Sequence, residues 1–71
     1  MIPHKYAHLT PGTIGCLKET AKQFRIHPDS LDHVDGEWEI SEFDRGMLLV
    51  APKGTQLPES EIHLCEFEPL Q

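Results

Sequence analysis

Met47-Leu48-Leu49-Val50-Ala51, set between the turn-like Asp44-Arg45-Gly46 and Pro52-Lys53-Gly54, is the stretch on which the fold depends. It reads as a strand buried on both faces. Upstream, Trp38-Glu39-Ile40-Ser41-Glu42-Phe43 alternates apolar with polar residues, and downstream Glu61-Ile62-His63-Leu64 alternates again. The C-terminal half therefore forms a three-stranded antiparallel meander whose first two strands, within residues 37 to 51, are joined at Asp44-Arg45-Gly46. Leu48 and Val50 then point into one face of the sheet. Met47, Leu49 and Ala51 point into the other and need a cover of their own.

The alternation breaks twice. Trp38 and Ile40 share a face but Phe43 falls on the opposite one, so either a bulge near Glu42 shifts the phase or Phe43 covers a second apolar surface. Ile62 and Leu64 likewise share a face that Phe67 does not, and one turn of 3₁₀ helix at Cys65-Glu66 repairs the phase before Pro69-Leu70.

The N-terminal half is ambiguous. Residues 1 to 12 hold Pro3, His4, Tyr6, His8 and Pro11, a composition suited to an extended arm or to a first edge strand at Lys5 to Leu9. Ile14, Leu17, Ala21 and Phe24 recur at the spacing of an amphipathic helix, with Thr10 as N-cap and Pro11 at the first helical position. Gly12, Gly15 and the β-branched Thr13, Ile14 and Thr20 oppose a helix of that length, and a strand from Gly12 to Glu19 is the rival. One short helix over residues 15–25, stopped by Pro28, accommodates both observations. If it is helical, its stripe closes one sheet face and the domain can be monomeric; if it is extended, the outer face of the central strand invites self-association. His27 to Gly36 is a polar connection pinned to the core by Leu31 and Val34.

Taken together, Thr10-Pro11-Gly12-Thr13, the long connection to Gly36, the hairpin 37 to 51 and the tail Ile62-His63-Leu64-Cys65-Glu66-Phe67-Glu68-Pro69-Leu70 resemble the small SH3-like β-barrels. In those domains a 3₁₀ turn leads to a final short strand. The resemblance covers most of the chain and implies an architecture without naming a ligand. The fold class expected is mainly β: a small SH3-like barrel or a three-stranded antiparallel meander with one short helix, in a single domain over residues 1–71.

Composition narrows the function. Seventy-one residues, 38% hydrophobic and 25% charged, suit a soluble globular domain too small to enclose a large cavity, which favours a shallow groove or an intersubunit site. The net charge of −6 is unevenly spread. Residues 1–28 carry Lys5, Lys18, Lys22 and Arg25 against Glu19 alone, a net +3, whereas residues 29–71 carry eleven acids against Arg45 and Lys53, a net −9. Six basic residues in so acidic a chain argue against nucleic acid and anionic membranes as partners; a basic protein surface suits it better. No stretch reaches the roughly 20 apolar residues of a membrane-spanning helix. Two cysteines, Cys16 and Cys65, are too few for a secreted disulfide scaffold and are expected free, and no apolar leader follows the N-terminal residues. A cytoplasmic location is expected.

No catalytic motif stands out. His63 and Cys65 on one strand, with Glu61 behind them, could begin a metal site, but nothing in sequence completes it and no metal or cofactor is implied. Cys16 or Cys65 beside a histidine could in principle form a nucleophilic pair, although a free cysteine ordinarily packs as a small apolar residue. The glycines form neither a dinucleotide fingerprint nor a P-loop. Glu37, Glu39, Glu42, Asp44, Glu59 and Glu61 read as a hydrated acidic face rather than an acid–base pair. Tyr6, Trp38, Glu39 and Glu42 are the candidate partner-binding residues, an aromatic and acidic patch for basic or proline-containing segments, with Trp38 alternatively a core residue. The expectation is a non-catalytic interaction module that binds a protein partner or itself. The alternative is a small oligomeric enzyme or ligand-binding protein with its site at a symmetric interface.

Overall fold

The computed structural model describes residues 9–70. The order of elements is β1 (Ile14–Leu17), α1 (Glu19–Phe24), a first 3₁₀ helix (Pro28–His33), β2 (Trp38–Asp44), β3 (Met47–Pro52), β4 (Ser60–His63), a second 3₁₀ helix (Leu64–Glu66) and β5 (Phe67–Pro69). The five strands form one antiparallel sheet in the order β4-β3-β2-β1-β5, so the fold is mainly β. The meander is present as β2-β3-β4. The strand suggested for Lys5 to Leu9 lies, but for Leu9 itself, outside the described residues; Leu9 is buried in the core.

β2 and β3 pair from Trp38↔Pro52 to Asp44↔Met47. The turn between them places both Arg45 (φ 53°) and Gly46 (φ 84°) in the left-handed region, the geometry of a two-residue hairpin whose twist matches its strands. Leu48 and Val50 are fully buried. The run 47–51 is not buried on both faces, however: burial alternates along β3, and Met47, Leu49 and Ala51 are only half-buried. The reason is that the helical segment lies over the inner face, not the outer one.

The break in β2 is a bulge. Ile40 pairs with Val50, Glu42 with Leu49 and Phe43 with Leu48, which leaves Ser41 without an opposite residue. Phe43 thereby rejoins the inner face and packs on the core, while Glu42 turns outward. At the other break, the 3₁₀ turn Leu64–Glu66 returns Phe67 to the core beside Leu17.

Residues 13 to 25 are strand and then helix. No helix starts at Thr10; instead Thr13 N–H bonds the Thr10 carbonyl (3.0 Å) across a tight turn, and the chain stays extended through Leu17. Gly15 is the reason. A Cβ there would collide with the Glu68 carbonyl and stand 2.6 Å from the Phe67 ring, so the missing side chain lets β5 lie against β1. The helix is confined to Glu19–Phe24, too short to be stable alone. Ala21 enters the core, but Phe24, expected on the same stripe, is 76% exposed because the stripe's first half belongs to a strand. Leu31 is also exposed rather than pinning its loop. That role falls to Trp38, whose indole N–H donates to the His33 carbonyl (3.0 Å), and to Ser60, whose hydroxyl accepts from His27 N–H (2.9 Å).

The core joins Leu9, Leu17, Ala21, Trp38, Ile40, Leu48, Val50, Ile62 and Phe67. Both sheet edges are blunted. On β5, Phe67 gives its N–H to the Leu64 carbonyl and Pro69 has none. On β4, His63 N–H donates to the Glu66 carboxylate (2.8 Å). A partner strand meets few free donors at either edge.

Three substitutions test this packing by denaturant unfolding. Gly15→Ala should cost about 1–3 kcal/mol through overpacking against backbone that cannot yield. Leu48→Ala should cost about 2–5 kcal/mol, and Leu49→Ala on the outer face well under that.

Candidate functional site

Directly opposed residues in antiparallel strands share a face, so the pairing defines the outer surface of the sheet. Its middle row is Met47, Leu49 and Ala51 on β3. On β2, Asp44 lies opposite Met47, Glu42 opposite Leu49 and Glu39 opposite Ala51. On β4, His63 lies opposite Met47 and Glu61 opposite Leu49. An apolar row thus runs between two lines of exposed acids. Glu59, just before β4, extends the second line; its carboxylate receives the Ser41 hydroxyl.

The described lysines and arginines are paired with other acids. Lys22 pairs with Asp35 (3.0 Å), Arg25 with Glu66 (3.1 Å), Lys53 with Glu37 (3.2 Å), Arg45 with Asp44 (3.8 Å) and Lys18 with Glu68 (4.0 Å). The hydrogen bond that Lys22 donates to Asp35 raises the pKa of its ammonium above the ordinary lysine value. Every described lysine and arginine therefore has an acidic neighbour, whereas Glu39, Glu42, Glu59 and Glu61 have no cationic partner among the described residues. Glu42 and Glu61 flank the same Leu49 two strand spacings apart, roughly 10 Å. At that distance like charges repel by about 0.4 kcal/mol in water.

Of the partner-binding residues expected from sequence, Glu39 and Glu42 lie on this face. Trp38 does not: it is fully buried on the inner face and belongs to the core. Tyr6 lies outside the described residues. Glu59 and Glu61, also read from sequence as part of a hydrated acidic face, complete the acidic rim, and the pairing of β4 with β3 sets them beside the Met47-Leu49-Ala51 row. Two shallow grooves flank Pro52. The larger, about 380 Å³, is bordered by Asp32, Asp35, Glu37 and Lys53, and its acids Asp35 and Glu37 are already ion-paired. The smaller, about 270 Å³, opens onto the outer face between Glu39 and Glu59.

The buried acid of the molecule is Glu66, and its role is structural. It accepts hydrogen bonds from His63 N–H (2.8 Å), the Thr20 hydroxyl (2.7 Å) and Arg25 Nε (3.1 Å), tying α1 to the second 3₁₀ helix. Burial pushes its carboxyl up, but those three donors and the Arg25 charge outweigh burial and hold it below the usual carboxylate value. With its oxygens so occupied it is no free general base. Cys16 is half-buried, Cys65 is exposed and both are free thiols. Among the described residues no three histidine, cysteine or acidic side chains converge as metal ligands, and no helix is long and apolar enough to cross a membrane.

No protein-family model matches the chain, nor does any curated protein or solved structure. The functional reading rests on this geometry.

Because Glu66 ionises more easily folded than unfolded, its contribution is present above the unfolded value near 4.3 and is lost as pH falls through the lower folded value. Glu66→Gln should destabilise the protein by about 1–3 kcal/mol at pH 7. The gap between variant and parent should close as urea melts are repeated at pH below about 4. A gap independent of pH would show that the charge of Glu66 is immaterial.

Proposed function

We propose that this chain is a non-catalytic interaction module, an acidic SH3-like domain that binds a basic segment of a protein partner on the outer face of β2, β3 and β4. The observation that carries this reading is the charge distribution: each described lysine and arginine is paired with another acid, while the four glutamates along the Met47-Leu49-Ala51 row have no cationic partner among the described residues. Aliphatic surface between uncompensated carboxylates suits lysine and arginine, whose stems are apolar and whose heads are charged. Self-association through the same face would oppose carboxylate to carboxylate, which favours a different, basic chain as partner. The strand order and the 3₁₀ turn leading into β5 support the SH3-like reading. Two free cysteines suit a reducing compartment such as the cytoplasm.

The test uses an alternating arginine–alanine octapeptide and the ¹⁵N-labelled protein at about 0.15 M salt, where long-range attraction is screened. Shifts should concentrate on β2, β3 and β4, and the double variant Glu42→Lys/Glu61→Lys should abolish them. The reversal has a second signature. By relieving repulsion across Leu49, Glu61→Lys alone should leave stability unchanged or raise it by up to about 1 kcal/mol while weakening the peptide. Binding that survives the double reversal, or the absence of any binding by the parent protein, would overturn the reading.

A further inference from the structure

The smaller groove adds a specific contact to that face. Ala51, Pro52 and Leu57 line it together with the exposed Glu39 and Glu59. The far wall is held in place: Thr55 N–H (3.2 Å) and its hydroxyl (2.8 Å) both donate to the Pro52 carbonyl, and the same hydroxyl accepts from Leu57 N–H (3.4 Å). At about 270 Å³ and open to solvent, the groove is below the roughly 300 Å³ typical of small-molecule sites. Its size suits one inserted side chain.

We propose that this groove receives a single arginine of the basic partner, an inference that rests on the interaction-face reading above. The aliphatic stem would lie on Ala51, Pro52 and Leu57, and the guanidinium would sit between Glu39 and Glu59. Arginine fits better than lysine because its planar head is weakly hydrated and presents several donors to carboxylates at once. Ser41, the bulged residue, makes room for it. Its hydroxyl reaches both the Glu59 carboxylate and the Leu49 carbonyl (3.0 Å) but has one proton to give. When a guanidinium approaches Glu59, the hydroxyl can donate to Leu49 instead and leave both Glu59 oxygens to the ligand. The bulge that turns Glu42 outward thus also supplies the group that holds Glu59 in the empty groove.

Nα-acetyl-arginine methylamide and its neutral citrulline counterpart separate this proposal from the broader one. Titrated into the ¹⁵N-labelled protein at about 0.15 M salt, the arginine compound should shift the amides of Ala51, Thr55, Gln56 and Leu57, and the citrulline compound should not. Glu39→Gln/Glu59→Gln, a nearly isosteric surface change, should remove those shifts and weaken the arginine–alanine octapeptide roughly tenfold. Equal response to citrulline, or arginine shifts scattered over all surface acids, overturns the groove assignment. If the octapeptide still binds in a manner sensitive to Glu42 and Glu61 but indifferent to Glu39 and Glu59, the groove fails and the interaction face stands. If the octapeptide does not bind the parent protein at all, both fail.

Discussion

The bulge at Ser41 is the constraint on which the two faces of this sheet depend. A strand with strict alternation from Trp38 would send Phe43 outward with Glu39 and turn Glu42 into the core, where an unpaired carboxylate is costly. Inserting one unpaired residue between Ile40 and Glu42 reverses both outcomes. Trp38, Ile40 and Phe43 then join Leu48, Val50 and Ile62 on one side. Glu39 and Glu42 join Met47, Leu49 and Ala51 on the other. The hydrophobic core and the acidic surface are products of the same local irregularity.

What the bulge arranges, the ends of the sheet protect. α1, at six residues, has no independent stability and is held by Thr20 and Arg25 to Glu66 and by Lys22 to Asp35. Glu66 also takes the His63 N–H on edge strand β4, so one buried carboxylate fixes the helix and blunts an edge. Gly15 performs the matching task at the other side by letting Phe67 and β5 close over β1. With edges poor in donors, addition of a partner strand is disfavoured at both.

Much of this was legible in the residues. The hairpin around Asp44-Arg45-Gly46, the irregularity near Glu42 and the 3₁₀ turn before Phe67 follow from breaks in a period of two, a strictly local signal. The segment from Ile14 to Phe24 was less tractable because a strand and a helix follow each other without a loop, and their apolar residues happen to fall at helical spacing. Gly15 decides between them only through contact with Glu68 and Phe67, more than fifty residues away. The candidate site was half visible: Glu39, Glu42, Glu59 and Glu61 could be assigned to an acidic face, but Trp38 turns inward. That Glu59 and Glu61 stand across the β3 row from Glu39 and Glu42 follows from strand pairing across the sheet. That their charge is unmatched follows from where the lysines and arginines find partners, which no linear pattern encodes.

The register of β2 against β3 is the most direct test of the two-faced sheet, and cross-strand nuclear Overhauser contacts in the full chain measure it. Contacts between Glu42 and Leu49 and between Phe43 and Leu48, with Ser41 unpaired, are the predicted result. Contacts placing Ser41 opposite Leu49 and Phe43 opposite Met47 would mean an unbulged strand with Glu42 directed inward. That outcome would remove the acidic face from which the functional assignment is drawn.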